Sequence, residues 1–145
     1  MCISVLSRVV DLPGCWKMVS NAQLILKARS VVRFRALKNS GSAGNVGCAL
    51  VTDKSNIYLG VCINTACGMG FCAEHSAIAS MVTNGEQRIK KIVSVLKDGT
   101  IIPPCGRCRE FMRQIDSRNN QTEVLVSKSK IVKLKDLLPF SWDHE

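Results

Sequence analysis

The most informative part of the sequence is a pair of short stretches, FCAEHSA at residues 71–77 and PCGRCRE at residues 104–110. In the second stretch Cys105 and Cys108 lie three residues apart, so a helix that begins near Cys105 would place both thiols on one face. The first stretch adds a third thiol, Cys72, and a carboxylate two residues later, Glu74. Three protein ligands leave a tetrahedral zinc ion one open position, which a water molecule can fill. The two stretches therefore predict a zinc ion held by Cys72, Cys105 and Cys108, with Glu74 free to move protons.

Two other interpretations of these thiols are less favoured. A closed structural zinc site normally has a fourth Cys or His at a similar spacing. A redox pair would account for Cys105 and Cys108, but the surrounding sequence is unlike that of a thioredoxin. It would also leave Cys72 and Glu74 without a function, so a catalytic zinc site is the better prediction.

A metal ligand two residues before Glu, followed by Pro-Cys-x-x-Cys, is the signature of the zinc-dependent nucleobase deaminases. On these residues the chain resembles the cytidine deaminase superfamily. Cys72 in place of His makes it most similar to the small members that act on free nucleosides, cytidine deaminases and blasticidin S deaminases. The similarity extends from about Asn21 to Trp142 and includes VGCAL at residues 46–50 and LLP at residues 137–139. It implies an α/β fold of three α/β/α layers, in which helices cover both faces of a mixed sheet of about five strands.

The resemblance also implies a reaction and the residues that carry it. Water activated by zinc would attack C4 of a cytosine ring, while Glu74 carries protons to N3 and then to the departing amino group. The backbone N–H of Ala73 would bind the ring carbonyl, and the carbonyl of Pro103 would receive the leaving amine. These assignments are carried over by position.

Three thiolates and a hydroxide leave a net negative charge around a divalent ion. We expect Arg107 and Arg109, together with the N-terminal ends of two helices, to offset part of it. The superfamily often has Arg directly after Glu, where this chain has His75, and a neutral His would offset less charge. His75 could equally be a capping or interface residue.

Two positions that hold the nucleoside in the superfamily differ in this chain. The ribose-binding Asn-x-Glu is absent, so that Asn64 is the remaining polar candidate, although it could simply cap a turn. Gly44 stands where an aromatic residue usually covers the base.

Phe140 and Trp142 follow the Leu-Leu-Pro segment. In tetrameric members this segment closes the pocket of a neighbouring subunit, and the two aromatic side chains could cover the ring here. A homo-oligomer, and specifically a tetramer, is therefore expected.

The predicted function is zinc-dependent hydrolytic deamination of a free cytosine nucleoside, either cytidine or deoxycytidine. Deamination of blasticidin S or another modified nucleoside is the nearest alternative, favoured by the missing ribose motif. Editing of cytosine or adenine in nucleic acid is supported by the basic N-terminal half and disfavoured by Cys72, where polynucleotide editors usually have His. A zinc scaffold without turnover is disfavoured by the intact Glu74.

Composition sets further bounds on the chain. At 145 residues it fits one zinc domain, predicted here at residues 18–145, with residues 1–17 as an N-terminal extension that could be disordered. The net charge of +9 is concentrated in residues 1–40 and near the end of the chain, at residues 128–135. Few aromatic residues lie between these basic residues, which is more typical of a solvated helix face than of a nucleic-acid surface. The eight cysteines lack the spacing of a disulfide framework, which predicts reduced thiols and a cytoplasmic protein. No apolar run is long enough for a membrane span.

Local patterns predict the order helix, hairpin, helix, strand, helix, strand, helix. The first helix has a capping box at Ser20 and Gln23 and apolar residues at helical spacing as far as Ala36. Residues 40–45 have loop composition. The remaining predicted elements are a hairpin of residues 46–52 and 56–63, a helix at 72–83, a buried parallel strand at 92–96, a helix from about 105, a strand at 124–126 and an amphipathic helix at 132–138.

Overall fold

The structure is a computed structural model that describes residues 19–143. The predicted extension at residues 1–17 lies outside the described residues, so the domain boundary stays a prediction. The helices are α1 (Asn21–Ser30), α2 (Ala73–Thr83), α3 (Gly106–Ile115) and the single turn α4 (Leu134–Leu137). The strands are β1 (Arg35–Ala36), β2 (Ser42–Thr52), β3 (Ile57–Asn64), β4 (Ile89–Leu96), β5 (Ile101–Ile102), β6 (Glu123–Leu125) and β7 (Ile131–Lys133). Two short 3-10 helices cover Ala66–Gly68 and Ser117–Gln121.

The strands form one mixed sheet with β2 near its centre. β2 pairs antiparallel with β3, and on its other side with β4 and the short β1. β4 continues the sheet through a parallel pairing with β6, which in turn pairs antiparallel with β7. The sheet has seven strands, more than the five or so that were predicted. Two of them, β1 and β5, are only two residues long.

Both faces of this sheet are covered by helices. Side chains of β2 alternate between the faces, so that Cys48 and Leu50 pack in one core cluster and Ala49 and Val51 in another. The first cluster contains the inner residues of α2 and α3, and the second contains those of α1. Because β2 is buried on both faces, it is almost continuously apolar. The predicted three-layer α/β/α architecture is therefore confirmed.

The first helix begins as predicted but ends six residues early. The Ser20 side chain accepts a hydrogen bond from the Gln23 backbone N–H, and the Gln23 side chain accepts one from Ser20. The helix stops at Ser30, just before the β-branched pair Val31 and Val32. Residues 35–36 pair with β2 instead, which is why the prediction of a helix as far as Ala36 is wrong.

Three other predicted boundaries also change. Residues 42–45, predicted as a loop, belong to β2: residues 42–43 pair with both β1 and β3, and residues 44–45 lie in the irregular part of the strand that follows. The predicted parallel strand at 92–96 is parallel only to β6, and pairs antiparallel with β2 and β5. The predicted last helix is divided into strand β7 and the single turn α4.

Gly60 allows α2 to lie against the sheet at its N-terminal end. A Cβ atom at this position would collide with the carbonyl oxygen of Ala73 and the N–H of Ala77, both in α2. The backbone of β3 therefore approaches the helix more closely than any side chain would allow. This contact fixes the height of the first turn of α2 above the sheet.

The side chain of Asn119 connects α3 to the sheet. Its side chain is fully buried, and its Oδ1 accepts a hydrogen bond of 2.8 Å from the Ile89 N–H. Its Nδ2 donates to the carbonyls of Gln87 and Met112, each at 3.0 Å. One amide thus connects the start of β4 to α3, which carries two of the candidate zinc ligands.

No helix within residues 19–143 has the length and apolar character required to cross a bilayer.

We expect Asn119→Ala to lower the free energy of unfolding by about 3 kcal/mol, because it leaves a buried N–H and two carbonyls without partners. Asn120→Ala, which truncates the neighbouring half-buried amide, should change it by less than about 1 kcal/mol. Urea denaturation of the two variants measures both values. Equal losses would show that the Asn119 hydrogen bonds do not stabilise the fold.

Candidate metal centre and active site

The three predicted ligands lie together at the N-terminal ends of two helices. Cys72 is the N-cap of α2, Cys105 is the N-cap of α3, and Cys108 lies in the first turn of α3. The Sγ atoms of Cys72 and Cys105 are 3.6 Å apart, and those of Cys105 and Cys108 are 3.4 Å apart. All three sulfurs lie within 4.8 Å of one another. Across residues 19–143 no other group of three or more Cys, His, Asp or Glu side chains is close enough to share an ion.

The chemistry of this cluster fits zinc. Neither N-cap thiol forms a capping hydrogen bond with its own helix, and the sulfurs face one another instead. Thiolates are preferred zinc ligands, and the partial positive charge at a helix N-terminus favours the thiolate over the thiol. The three cysteines could therefore hold one zinc ion.

The pKa values of the three thiols are shifted in different directions. Burial is the largest cause that raises the pKa of Cys72 and of Cys108, and the carboxylate of Glu74 adds to both increases. Burial also opposes ionisation of Cys105, but hydrogen bonds from the Cys108 backbone N–H and from the neighbouring thiols lower its pKa. Without a cation the cluster keeps most of its protons, whereas a bound divalent ion would stabilise all three thiolates.

Glu74 lies beside the thiols at the start of α2. It is the second residue of that helix, only 4% exposed, and its charge acts on the pKa of Cys108 and Cys72. It shares a pocket wall with Cys72 and Cys105. A carboxylate here could exchange protons with any molecule bound against the thiols.

The pocket beside the thiols has a volume of about 440 Å³, within the range of small-molecule sites. Three of the residues predicted to contact substrate, Asn64, Ala73 and Pro103, lie in its wall. Arg107, predicted to offset charge, is exposed and also lines it. The structure thus brings four of the secondary predictions to the same cavity.

His75 and Arg109 have different surroundings. The Nδ1 atom of His75 is 3.4 Å from the Cys108 Sγ, and its ring stacks on Phe111. Arg109 donates from Nε to the Pro104 carbonyl at 2.8 Å and from Nη1 to the Leu137 carbonyl at 3.1 Å. The hydrogen bonds of Arg109 therefore connect the start of α3 to α4.

Phe140 and Trp142 do not line the pocket of their own chain. Their side chains are 87% and 79% exposed. The backbone N–H of Trp142 donates to the Glu110 carboxylate, at 3.2 and 3.3 Å from its two oxygens, which fixes the path of this segment along α3. Two exposed aromatic side chains close together in sequence are available to contact another molecule.

The sequence prediction missed several residues of the pocket wall, including Phe71, Asn45 and Thr65. Phe71 forms a two-hydrogen-bond bridge with Ile63, which aligns the residue before Cys72 with the end of β3. The pairing of β2 with β3 is interrupted between residues 43 and 47, and Asn45 lies within this bulge. The one signal in the sequence that could have identified Phe71 is its position directly before the first ligand, Cys72.

Gly44 explains why an aromatic residue is absent at its position. It has a φ of +83°, and a Cβ atom there would collide with the carbonyl oxygen of Arg33. The chain between α1 and β1 thus occupies the space into which a side chain at position 44 would extend. The residue of this segment that lines the pocket is the next one, Asn45.

Comparisons with known proteins agree with this geometry. The family model described as the cytidine and deoxycytidylate deaminase zinc-binding region matches residues 20–123. The chain is 42% identical over 69 residues to a probable cytidine deaminase of Dictyostelium discoideum, a match that covers 46% of each chain. It is 28% identical over 96 residues to a cytidine deaminase of Mycobacterium tuberculosis, covering 65% of this chain and 69% of that protein.

Solved structures match the fold over more of the chain. The crystal structure of cytidine deaminase from Mycobacterium tuberculosis has a TM-score of 0.71 at 23% identity and covers 85% of this chain and 97% of that one. The cytidine deaminase from Burkholderia pseudomallei has a TM-score of 0.69 at 26% identity and covers 85% and 99%. The architecture is therefore that of these proteins.

We expect Cys108→Ser to abolish retention of zinc during dialysis, because the hydroxyl that replaces the buried thiol is a poor ligand for zinc. The parent protein should retain one zinc ion per chain. Cys67→Ser, at an exposed thiol outside the cluster, should retain as much as the parent. Metal analysis by mass spectrometry gives the stoichiometry. Retention of a full equivalent by the Cys108 variant would exclude that residue as a ligand.

Proposed function

This chain belongs to the cytidine and deoxycytidylate deaminase family of zinc-dependent hydrolases, and on that premise we propose that it deaminates a free cytosine nucleoside by hydrolysis. The products are the corresponding uracil nucleoside and ammonia. The observation that carries this proposal is the position of Glu74, in one pocket wall with Cys72 and Cys105. A proton-carrying group and a metal cluster then face the same bound molecule.

Cys72, Cys105 and Cys108 would hold the zinc ion. When bound, zinc lowers the pKa of a coordinated water to near 7 and so provides a nucleophile at neutral pH. The pocket wall contributes Glu74 and Arg107 as charged side chains, so that the binding site is otherwise lined by neutral groups. That composition suits an uncharged base and sugar.

Glu74 moves the protons in this proposal. Its carboxylate accepts a proton from the attacking water and delivers it to ring N3. It then accepts the proton of the new hydroxyl at C4 and delivers that proton to the departing amino group. A single carboxylate can serve each step because the donor and acceptor atoms lie on one side of the ring. Its burial at the helix start keeps it in place while the substrate changes.

Two backbone groups orient the base. Ala73 is the first residue of α2, where backbone N–H groups lack partners within the helix, and its N–H would bind the ring carbonyl. The carbonyl of Pro103, which also lies in the pocket wall, would accept a hydrogen bond from the amino group that leaves. Asn64 would contact the sugar.

The sugar side of the pocket supports a second candidate substrate. A residue with a side chain at position 44 would collide with the backbone of Arg33, so no aromatic residue can cover the base from there. Ala66 stands where the superfamily has the Glu of its ribose motif. A modified nucleoside such as blasticidin S is the alternative substrate, favoured by the missing ribose motif. A nucleic acid is disfavoured because the catalytic pocket contains one basic side chain, Arg107.

The location and the assembly are part of the same proposal. The six cysteines within residues 19–143 are all free thiols, which suits a reducing compartment such as the cytoplasm. Phe140 and Trp142 would cover the pocket of a neighbouring copy in a homotetramer. Their exposure in the single chain would then be lost on assembly.

Ammonia release from a panel of substrates tests the activity. Zinc-loaded protein should act on cytidine or deoxycytidine and leave guanine and single-stranded oligonucleotides unchanged. Release from blasticidin S alone would identify the alternative substrate, and release from the oligonucleotides alone would overturn the proposal.

Glu74→Gln should lower kcat by at least about a hundredfold and retain one zinc ion, because it keeps the shape of the side chain and removes its proton transfer. Glu123→Gln is the matched control. That residue forms ion pairs with Lys91 and Lys133 on the sheet, away from the pocket wall, and the variant should turn over like the parent. Parental turnover by the Glu74 variant would remove Glu74 from the mechanism.

Sedimentation equilibrium should give a mass of about four times 15.9 kDa. Trp142→Ala should raise KM for the substrate more than it lowers kcat, because the indole covers bound substrate from a neighbouring copy. Phe34→Ala, which removes another exposed aromatic side chain, should leave KM unchanged. A stable monomer with full activity would contradict this part of the proposal.

A further inference from the structure

His75 contacts both a candidate ligand and an aromatic ring on the other helix of the site. It is the third residue of α2, and its Nδ1 lies 3.4 Å from the Sγ of Cys108 in α3. Its ring is parallel to that of Phe111, with an interplanar angle of 1° and centroids 4.5 Å apart. Cys108 and Phe111 are three residues apart on one helix face, so a single imidazole contacts both.

We propose that His75 is a positioning residue for the metal site: its Nδ1–H donates a hydrogen bond to the Cys108 thiolate, and the stack on Phe111 holds the ring in the orientation that this bond requires. The inference rests on the proposed function, because it concerns the metal that deamination needs. It goes beyond that function by assigning the group that stabilises one particular ligand.

The contact with Cys108 determines which ring nitrogen of His75 must carry a proton. A neutral imidazole carries one N–H, whereas a metal-bound thiolate can only accept a hydrogen bond. The contact with Cys108 is therefore favourable only for the tautomer protonated at Nδ1.

This hydrogen bond would offset a specific cost at Cys108. That thiol is the most buried of the three, and burial disfavours its thiolate form. An N–H donor stabilises the thiolate without placing another formal charge in the site. The bond also draws electron density from the sulfur, so that zinc receives less and remains a stronger Lewis acid.

Two variants separate the hydrogen bond from the stack. His75→Phe keeps a flat ring against Phe111 and removes the donor. His75→Asn keeps an N–H near the Nδ1 position and removes the ring. If the hydrogen bond is the active feature, the phenylalanine variant should bind zinc about 10–100-fold more weakly, while the asparagine variant stays within a few-fold of the parent. Zinc affinity is measured by competition with a chelator.

Cobalt(II) provides a spectroscopic readout without substrate. In the cobalt-loaded phenylalanine variant the sulfur-to-cobalt charge-transfer band should move to longer wavelength, because the unprotected thiolate gives up an electron more easily. The asparagine variant should keep the parental band. An unshifted band with parental affinity in the phenylalanine variant, or equal changes in both variants, would overturn the proposal.

Nuclear magnetic resonance of the unmodified protein decides the question even if a variant does not fold. The chain has two histidines, so a sample labelled with ¹⁵N-histidine gives two sets of imidazole signals, each with an Nδ1 and an Nε2 resonance, and His144→Gln assigns them. In zinc-loaded protein the His75 ring should be protonated at Nδ1 and unprotonated at Nε2. The opposite tautomer would overturn the proposal. Because no substrate is present, a protein that fails to deaminate cytidine can still give the expected result.

Discussion

The structure depends on the meeting of two helix N-termini at three sulfur atoms. Cys72 and Cys105 are far apart in sequence, and each would be an ordinary thiol without the other. The sheet brings them together because α2 and α3 both pack on the face opposite α1. Gly60 and Asn119 then set the position of each helix on that face. The two helix dipoles favour thiolates at their common point and so offset part of the cost of burying them, which helps the site to hold a cation.

The features that the sequence predicted well depend on residues that are near one another in the chain. The spacing of Cys105 and Cys108 places two thiols on one helix face, and the capping box of Ser20 begins α1 where expected. The hairpin of β2 and β3 follows from two apolar runs and a short turn. In each case the interaction that stabilises the element lies within a few residues, so that the local pattern already contains it.

The features that were missed depend on partners far away in the chain. Residues 35–36 leave the helical pattern because they pair with residues 42–43, and residues 42–43 become strand because they also pair with residues 63–64. Phe71 reaches the pocket wall through its bridge to Ile63. The contact of His75 with Cys108 and Phe111 exists only after α2 and α3 have packed. A local pattern cannot reveal a contact that tertiary packing creates.

The pocket has two sides that are built by different parts of the chain. The side that would perform the chemistry comes from the first turns of α2 and α3, which the core holds through buried side chains such as Met112. The side that would recognise the sugar comes from the bulge in β2 and the segment that follows β3. The backbone of Arg33 occupies the space beside Gly44, and neither residue belongs to α2 or α3, so the recognition side can change while the geometry of the metal site stays the same. This separation accounts for a chain whose zinc motifs match the family while the positions predicted to bind the sugar differ from it.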